Sequence, residues 1–164
     1  MKIVLIGFMG VGKSSVAPQL AKKLGINIIE MDDFIEKKAG KTLKEIFASG
    51  GESSFRKFEN EVCHEIANID NAVISTGGGV VMNANNFTSL KNNSTIIELN
   101  ASFDTILKRI NQKIPRPLFK DEESAKKLYD LRKPLYEKFA QIKISTDNKS
   151  VSEVTNEIIE SIKL

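Results

Sequence analysis

The chain reads as an α/β protein, a parallel sheet covered by helices on both faces in three layers. Three features point there. Short apolar runs alternate with helical patterns along the 164 residues, the signature of strand–helix–strand units. The first run, Lys2-Ile3-Val4-Leu5-Ile6, passes directly into a glycine-rich loop and then a helical pattern. Polar residues of chemical interest gather just after the strands, where ligands bind in sheets of this kind.

Taken in order, the elements follow from local signals. Residues 2–6 are a β-branched run and form a buried strand. Ser14 to Leu24 is helical and is closed by Gly25. Asn27 to Glu30 is a second strand, followed by a helix from Met31 to Lys38 that ends near Gly40. Thr42-Leu43-Lys44-Glu45 is a capping box that opens another helix. Gly50-Gly51 breaks it, and a longer helix runs from about Glu52 to Ile69 with Phe55, Phe58, Val62, Ile66 and Ile69 on one stripe. Ala72 to Ser75 is a third strand and Thr76 to Gly79 a turn. Ser94 to Leu99 is a fourth strand and Ser102 to about Asn111 a helix. Residues 112–123 are polar with two prolines and read as a lid loop. Ala125 to Ala140 is helical, with Pro134 expected to kink or interrupt it. Ile142 to Ser145 is a fifth strand, and the capping box at Ser150 starts a last helix. The expected organisation is one domain, 1–164, with a substrate-binding insertion at about 32–60 and the lid at 112–123.

Gly7-Phe8-Met9-Gly10-Val11-Gly12-Lys13-Ser14 fits the phosphate-binding pattern G-x-x-x-x-G-K-[ST] at every fixed position. At average residue usage a chance match in a chain of this length has odds of roughly one in two hundred. The glycines let backbone N–H groups wrap around the phosphates of a nucleotide. Lys13 reaches the β/γ-phosphates, and Ser14 offers a hydroxyl to Mg²⁺. Strand, loop and helix N-terminus together make an anion site.

Composition narrows the classes. Hydrophobic content is 41% and charged content 27%, as in ordinary globular proteins. A net charge of +3, spread over scattered lysine pairs, does not suggest a nucleic-acid binder. No apolar run reaches membrane-spanning length, and Lys2 with its apolar run is broken by Gly7, Gly10 and Gly12, unlike a signal peptide. A cytoplasmic location is expected. Cys63 is the only cysteine, beside the only histidine, His64. Neighbours in a helix point about 100° apart, so a packed cysteine is expected rather than a Cys–His nucleophile.

Phosphoryl transfer to a small anionic acceptor accounts for the rest. Asp32, at the end of the second strand, is placed to accept or orient the proton of an attacking hydroxyl. Arg56, close to Phe47 and Phe55, suits bidentate binding of a carboxylate. Gly77-Gly78-Gly79 costs backbone entropy, for which close approach of a ligand to the main chain is the usual reason. Arg116, between Pro115 and Pro117, suits a residue that arrives with lid closure. Arg132 is a second carboxylate ligand candidate.

These motifs resemble the shikimate kinase family, of the nucleoside-monophosphate-kinase-like P-loop group, almost from end to end. The likeness rests on residues 7–14, the acidic element before Ile35-Glu36, Gly51-Glu52 with Phe55-Arg56 and Glu59, Ser75 to Gly79, Arg116-Pro117-Leu118, and Arg132 four residues before Tyr136. The resemblance implies a five-stranded sheet in the order 2-3-1-4-5. It implies transfer of the ATP γ-phosphate to shikimate, with Mg²⁺, on the route to chorismate and aromatic amino acids. By the same resemblance Gly10, Val11, Gly12, Lys13, Ser14 and Ser15 hold ATP. Arg109 stacks on adenine and Arg116 is the lid arginine. Asp32 takes the acceptor hydroxyls, Arg56 and Arg132 its carboxylate, and Gly78 and Gly79 hydrogen-bond through their amides. The family usually shows D-x-D where this chain has Glu30-Met31-Asp32. Glu30 can still reach a metal-bound water, with Asp33 as its rival. The segment 146–151 is poorly matched and receives no assignment. ATP and shikimate are the expected partners of a monomer that contacts neither nucleic acid nor membrane. A gluconate- or nucleotide-type kinase on the same fold is the alternative. A regulatory nucleotide switch is less favoured, since neither N-K-x-D nor D-x-x-G occurs.

Overall fold

The computed structural model describes residues 1–111 and 121–163. Five strands form one parallel sheet in the order β2-β3-β1-β4-β5: β1 (Lys2–Ile6), β2 (Asn27–Glu30), β3 (Ala72–Ser75), β4 (Thr95–Asn100) and β5 (Ile142–Ser145). The order is the one the resemblance implied. The register aligns the carboxyl ends, pairing Leu5 with Ser75, Glu30 with Ser75 and Ile6 with Glu98. Loops that leave this edge therefore converge. The central strands are buried along their whole length because helices cover both faces.

Helix α1 (Lys13–Leu24) lays Val16, Ala17, Leu20 and Ala21 on the sheet. The last helix, α7 (Val151–Ile162), packs beside it and against β5. Between β2 and β3 the chain forms α2 (Met31–Ala39) and α3 (Leu43–Ile66). The opposite face carries α3, α4 (Ala84–Lys91) and α6 (Glu122–Phe139), while α5 (Phe103–Asn111) follows β4 and touches α6. Both predicted capping boxes form. Thr42 N–H donates to Glu45 Oε2 at 2.7 Å, and Ser150 N–H to Glu153 Oε2 at 2.7 Å.

Three elements differ from the sequence reading. The structure has a helix α4 where none was expected. Its segment Ala84-Asn85-Asn86-Phe87 is asparagine-rich and carries no assignment from sequence, but Asn83 caps it and Phe87 and Leu90 anchor it in the core. The second half of α3 ends at Ile66 rather than Ile69. Pro134 does not end α6, which runs through it. Pro134 and Asp130, whose carbonyl loses its helical donor, both lie on the exposed face, where water can replace the missing bond. The break at Gly51 is present: its φ of 65° and ψ of −165° divide α3 into two helical pieces. An L-residue would be strained there.

No described helix is long and apolar enough to cross a membrane. Leu20, fully buried between α1 and the sheet, provides a test of the packing. Leu20→Ala should cost about 2–5 kcal/mol through lost transfer energy and a residual cavity, read as a lower urea midpoint at unchanged m-value.

Candidate active site

The phosphate loop between β1 and α1 is shaped by its glycines. Gly12 sits at φ 106° and caps α1, with Val16 N–H donating to its carbonyl at 2.9 Å. At Gly7 any side chain would overlap the carbonyl of Leu99 on β4. The Lys13 side chain is buried and folds back over the loop, its Nζ donating to the carbonyls of Gly7 at 2.6 Å and Phe8 at 3.0 Å. Beside it a cleft is lined by Gly10, Gly12, Ser14, Ser15, Glu30, Asp32, Ser75 and Thr76. Ser14 Oγ donates to Glu30 Oε2 at 3.4 Å. Burial pushes the Glu30 carboxyl above the usual range, the neighbouring Ser75 hydroxyl pulls it back, and Asp33 and Asp32 add to the rise. Among the described residues no group of three or more His, Cys, Asp or Glu is clustered for a metal. A hydroxyl and a carboxylate meeting at a phosphate loop fit a hard cation that keeps waters and shares phosphate oxygens, which is the habit of Mg²⁺. Asp33 is not among the residues that line this cleft.

A second cavity adjoins the first. It is lined by Met9, Asp32, Phe47, Phe55, Arg56, Glu59, Gly77 to Gly79 and Arg132. They come from several elements: Asp32 from the first turn of α2, Phe47 from the first half of α3, Phe55, Arg56 and Glu59 from its second half, and Arg132 from α6. Phe47 and Phe55 stack with centroids 4.8 Å apart across the Gly51 break and wall one side. Arg56 Nη1 donates to both oxygens of Glu59, at 2.8 and 2.9 Å. Glu59 is 1% exposed. Burial pushes its carboxyl up and the Arg56 guanidinium opposes this. Arg132 is 2% exposed, and its Nε has no hydrogen-bond partner among the described residues. Burial, with Arg56 nearby, holds its guanidinium below the usual range. The glycine turn fits between these groups. A methyl group on Gly79 would overlap the Arg56 guanidinium, and one on Gly78 would press on Met9 N at 3.3 Å and Arg132 Nη1 at 3.5 Å. Tyr136 donates its hydroxyl to the Gly78 carbonyl, one helical turn from Arg132. Two guanidiniums, a carboxylate at Asp32 and exposed main chain thus surround a small space beside the phosphate loop, and the space suits a polar anion.

A third cleft lies across the loop, lined by Gly10, Val11, Ser15, Arg109, Thr146, Lys149, Ser150 and Val151. Arg109 Nη1 donates to Thr146 Oγ1 at 2.9 Å and Val11 O at 3.2 Å, and Nη2 to Thr146 O at 2.9 Å. The segment 146–151, which received no assignment from sequence, therefore forms this wall. Its one available signal was position, the loop between β5 and the capping box of α7. In the sequence Glu59 enters only through the family pattern with Phe55-Arg56. Its spacing of three from Arg56 was the signal for the pair. Arg116 and the lid residues 112–120 lie outside the described residues, and Asp121 caps α6. A further groove of about 980 Å³ lies between α3, α4 and the end of α6, and is lined by none of the predicted site residues.

The fold and the three contiguous clefts define a P-loop phosphotransferase with a small-molecule acceptor. The shikimate kinase family model matches residues 9–163. A shikimate kinase of Thermodesulfovibrio yellowstonii is 44% identical over 160 residues, covering 96% of this chain and 92% of its own. One from Sulfurihydrogenibium sp. is 41% identical, covering 98% and 97%. The structure of shikimate kinase from Acinetobacter baumannii in complex with shikimate superposes with a TM-score of 0.93 at 32% identity, covering 98% of this chain and 92% of that one. The chain belongs to the shikimate kinase family.

Cys63 is buried within α3, and burial, with Glu59 adding, pushes its thiol far above the usual range. His64 faces the surface and meets Ser89 Oγ at 2.9 Å through Nδ1. The native protein should therefore react with a thiol reagent at least about 100-fold more slowly than the urea-unfolded chain. Comparable rates at pH 8 would place Cys63 at the surface.

Proposed function

We propose that this chain is an ATP-dependent shikimate kinase that transfers the γ-phosphate of ATP to the 3-hydroxyl of shikimate, giving ADP and shikimate 3-phosphate. One observation carries the acceptor assignment. Arg132 is a buried cation whose Nε has no hydrogen-bond partner among the described residues, and it shares a cavity with Arg56 and Asp32 beside the phosphate loop. A carboxylated ring with hydroxyls matches that set: the two arginines take the carboxylate and Asp32 takes the hydroxyls.

The division of labour follows from chemistry. The loop amides from Gly10 to Ser15 cradle the phosphates at the N-terminus of α1. Lys13, which donates to loop carbonyls in this structure, finds a stronger charged acceptor in a triphosphate and counters charge as the γ-phosphoryl transfers. Asp32 orients the attacking hydroxyl and accepts its proton. Arg56 is held between Glu59 and Glu52, so its guanidinium is oriented before the acceptor arrives, and less ordering cost falls on binding. The amides of Gly78 and Gly79 add hydrogen bonds where no side chain intervenes. Adenine lies along the cleft of Arg109, Thr146, Lys149 and Val151. Arg116 supplies the closing charge from the 112–123 lid. Mg²⁺ would be held by Ser14 and, through water, by Glu30, and when bound it neutralises phosphate charge. We read the protein as a monomeric, single-domain cytoplasmic enzyme, a reading supported by the ordinary charge balance.

The test is an ADP-release assay with shikimate, gluconate and nucleoside monophosphates as acceptors. Shikimate should be preferred by at least about 100-fold in kcat/KM, and preference for another acceptor would refute the assignment. Lys13→Ala should lower kcat by about 100-fold or more. Arg56→Ala should raise KM for shikimate far more than KM for ATP. Equal effects on both substrates would argue against a carboxylate contact.

A further inference from the structure

β4 carries one charged residue in an otherwise apolar run, Thr95-Ile96-Ile97-Glu98-Leu99. Glu98 is 3% exposed, and its Oε2 has no hydrogen-bond partner among the described residues. A carboxylate so placed is costly. Glu98 borders a cavity of about 290 Å³ closed by Phe8 and Val11 of the phosphate loop, by Asn100 to Ser102 after β4, by Asp147, and by α6. On α6 the lining residues are Tyr129, Lys133, Tyr136 and Glu137, which follow one another at helical spacing on one side of the helix. Glu98 and Tyr136 thus line the same cavity. Tyr136 in turn bonds the Gly78 carbonyl and lies beside the Arg132 guanidinium.

We infer that Glu98 is a positioning residue for the acceptor pocket: its carboxyl group backs Tyr136, and its charge state sets how firmly the Tyr136–Gly78–Arg132 corner holds the carboxylate of the acceptor. This rests on the reading of Arg132 as a carboxylate ligand. A neutral Glu98 leaves the positive charge of Arg132 directed at the substrate. An ionised Glu98 places a negative charge behind Tyr136, which weakens attraction of any anion at that corner and disturbs the tyrosine that buttresses it. The charged groups that face Glu98 are mixed. Glu137 on α6 opposes its ionisation, as burial does more strongly, while Lys143 on β5 and Lys133 on α6 favour it. Asp147 lies across the cavity, and its carboxylate accepts from Ser102 N–H.

The sign follows from burial, which raises the Glu98 carboxyl above its unfolded value. Stability from the neutral form is complete below the unfolded pKa and is lost as pH rises through the folded pKa. Binding of an anionic acceptor should weaken over the same interval. The experiment is the KM for shikimate, KM for ATP and kcat of wild type, E98Q and E98M from the unfolded carboxyl range, about pH 4.5, up to about pH 9. In wild type, KM for shikimate should rise with pH by about three- to tenfold more than in E98Q. kcat and KM for ATP should keep parallel profiles in all three. E98M, apolar and of similar size, should share the flat profile of E98Q, which keeps the test available if either variant folds poorly. Superimposable KM profiles for wild type and a folded neutral variant, or a change confined to kcat, would overturn the proposal. Arg132→Lys, measured alongside, separates the two readings. If it leaves KM for shikimate unaltered, the carboxylate assignment itself has failed. If it raises KM while E98Q follows wild type, only the role of Glu98 has failed.

Discussion

Main chain packs directly against main chain at the carboxyl edge of β1, β3 and β4, and the rest of the site is arranged around that contact. Gly7 leaves no room for a side chain against the Leu99 carbonyl, and Gly78 sits close to Met9 N and the Gly7 carbonyl. The phosphate loop and the glycine turn after β3 are therefore one continuous surface of peptide groups. Side chains with chemistry have to reach it from outside. Lys13 does so from α1, Asp32 from α2, Arg56 from α3 and Arg132 from α6. Parallel strands in register bring those helices together, and because the helices pack on a buried sheet their positions are fixed by the core rather than by ligand.

Electrostatics complete what crowding begins. Two guanidiniums in a small buried space repel, and the site compensates one of them. Glu59 accepts two hydrogen bonds from Arg56 and is itself almost without solvent. Such a pair gains little net stability, since desolvation offsets attraction. Its value lies in geometry, because it holds a long flexible side chain in one rotamer beside Gly79. Arg132 is buried, and among the described residues no carboxylate forms an ion pair with it. The asymmetry concentrates unneutralised positive charge on one side of the cavity, opposite Asp32.

Much of this was legible in the residues alone, and the parts that were not share a cause. The phosphate loop, both capping boxes and the five strands rest on local patterns, where sequence neighbours decide the conformation. Arg56, Arg132 and the glycine triplet were recognisable because their types are unusual for their settings. What failed depended on tertiary context. Residues 84–91 carry no local helix signal, and it is the burial of Phe87 and Leu90 in the core that fixes them as a helix. Pro134 looks like a helix end unless its face is known to be wet. Thr146 and Lys149 flank no strong motif, and only the return of β5 to the sheet places them across from Arg109. Glu98 was passed over because a single acid in an apolar strand carries no sign of which helix will cover it.

The break at Gly51 has a consequence for how acceptor preference could change. One residue in a left-handed conformation separates a helical piece bearing Phe47 from a piece bearing Phe55, Arg56 and Glu59. The angle between those pieces sets the width of the slot into which a ring would slide. Altering that single joint would move the Phe47 wall relative to the piece that bears Arg56, with every side chain unchanged. Drift toward bulkier polyols is therefore open to this scaffold by bending a backbone, with its charge pattern left intact.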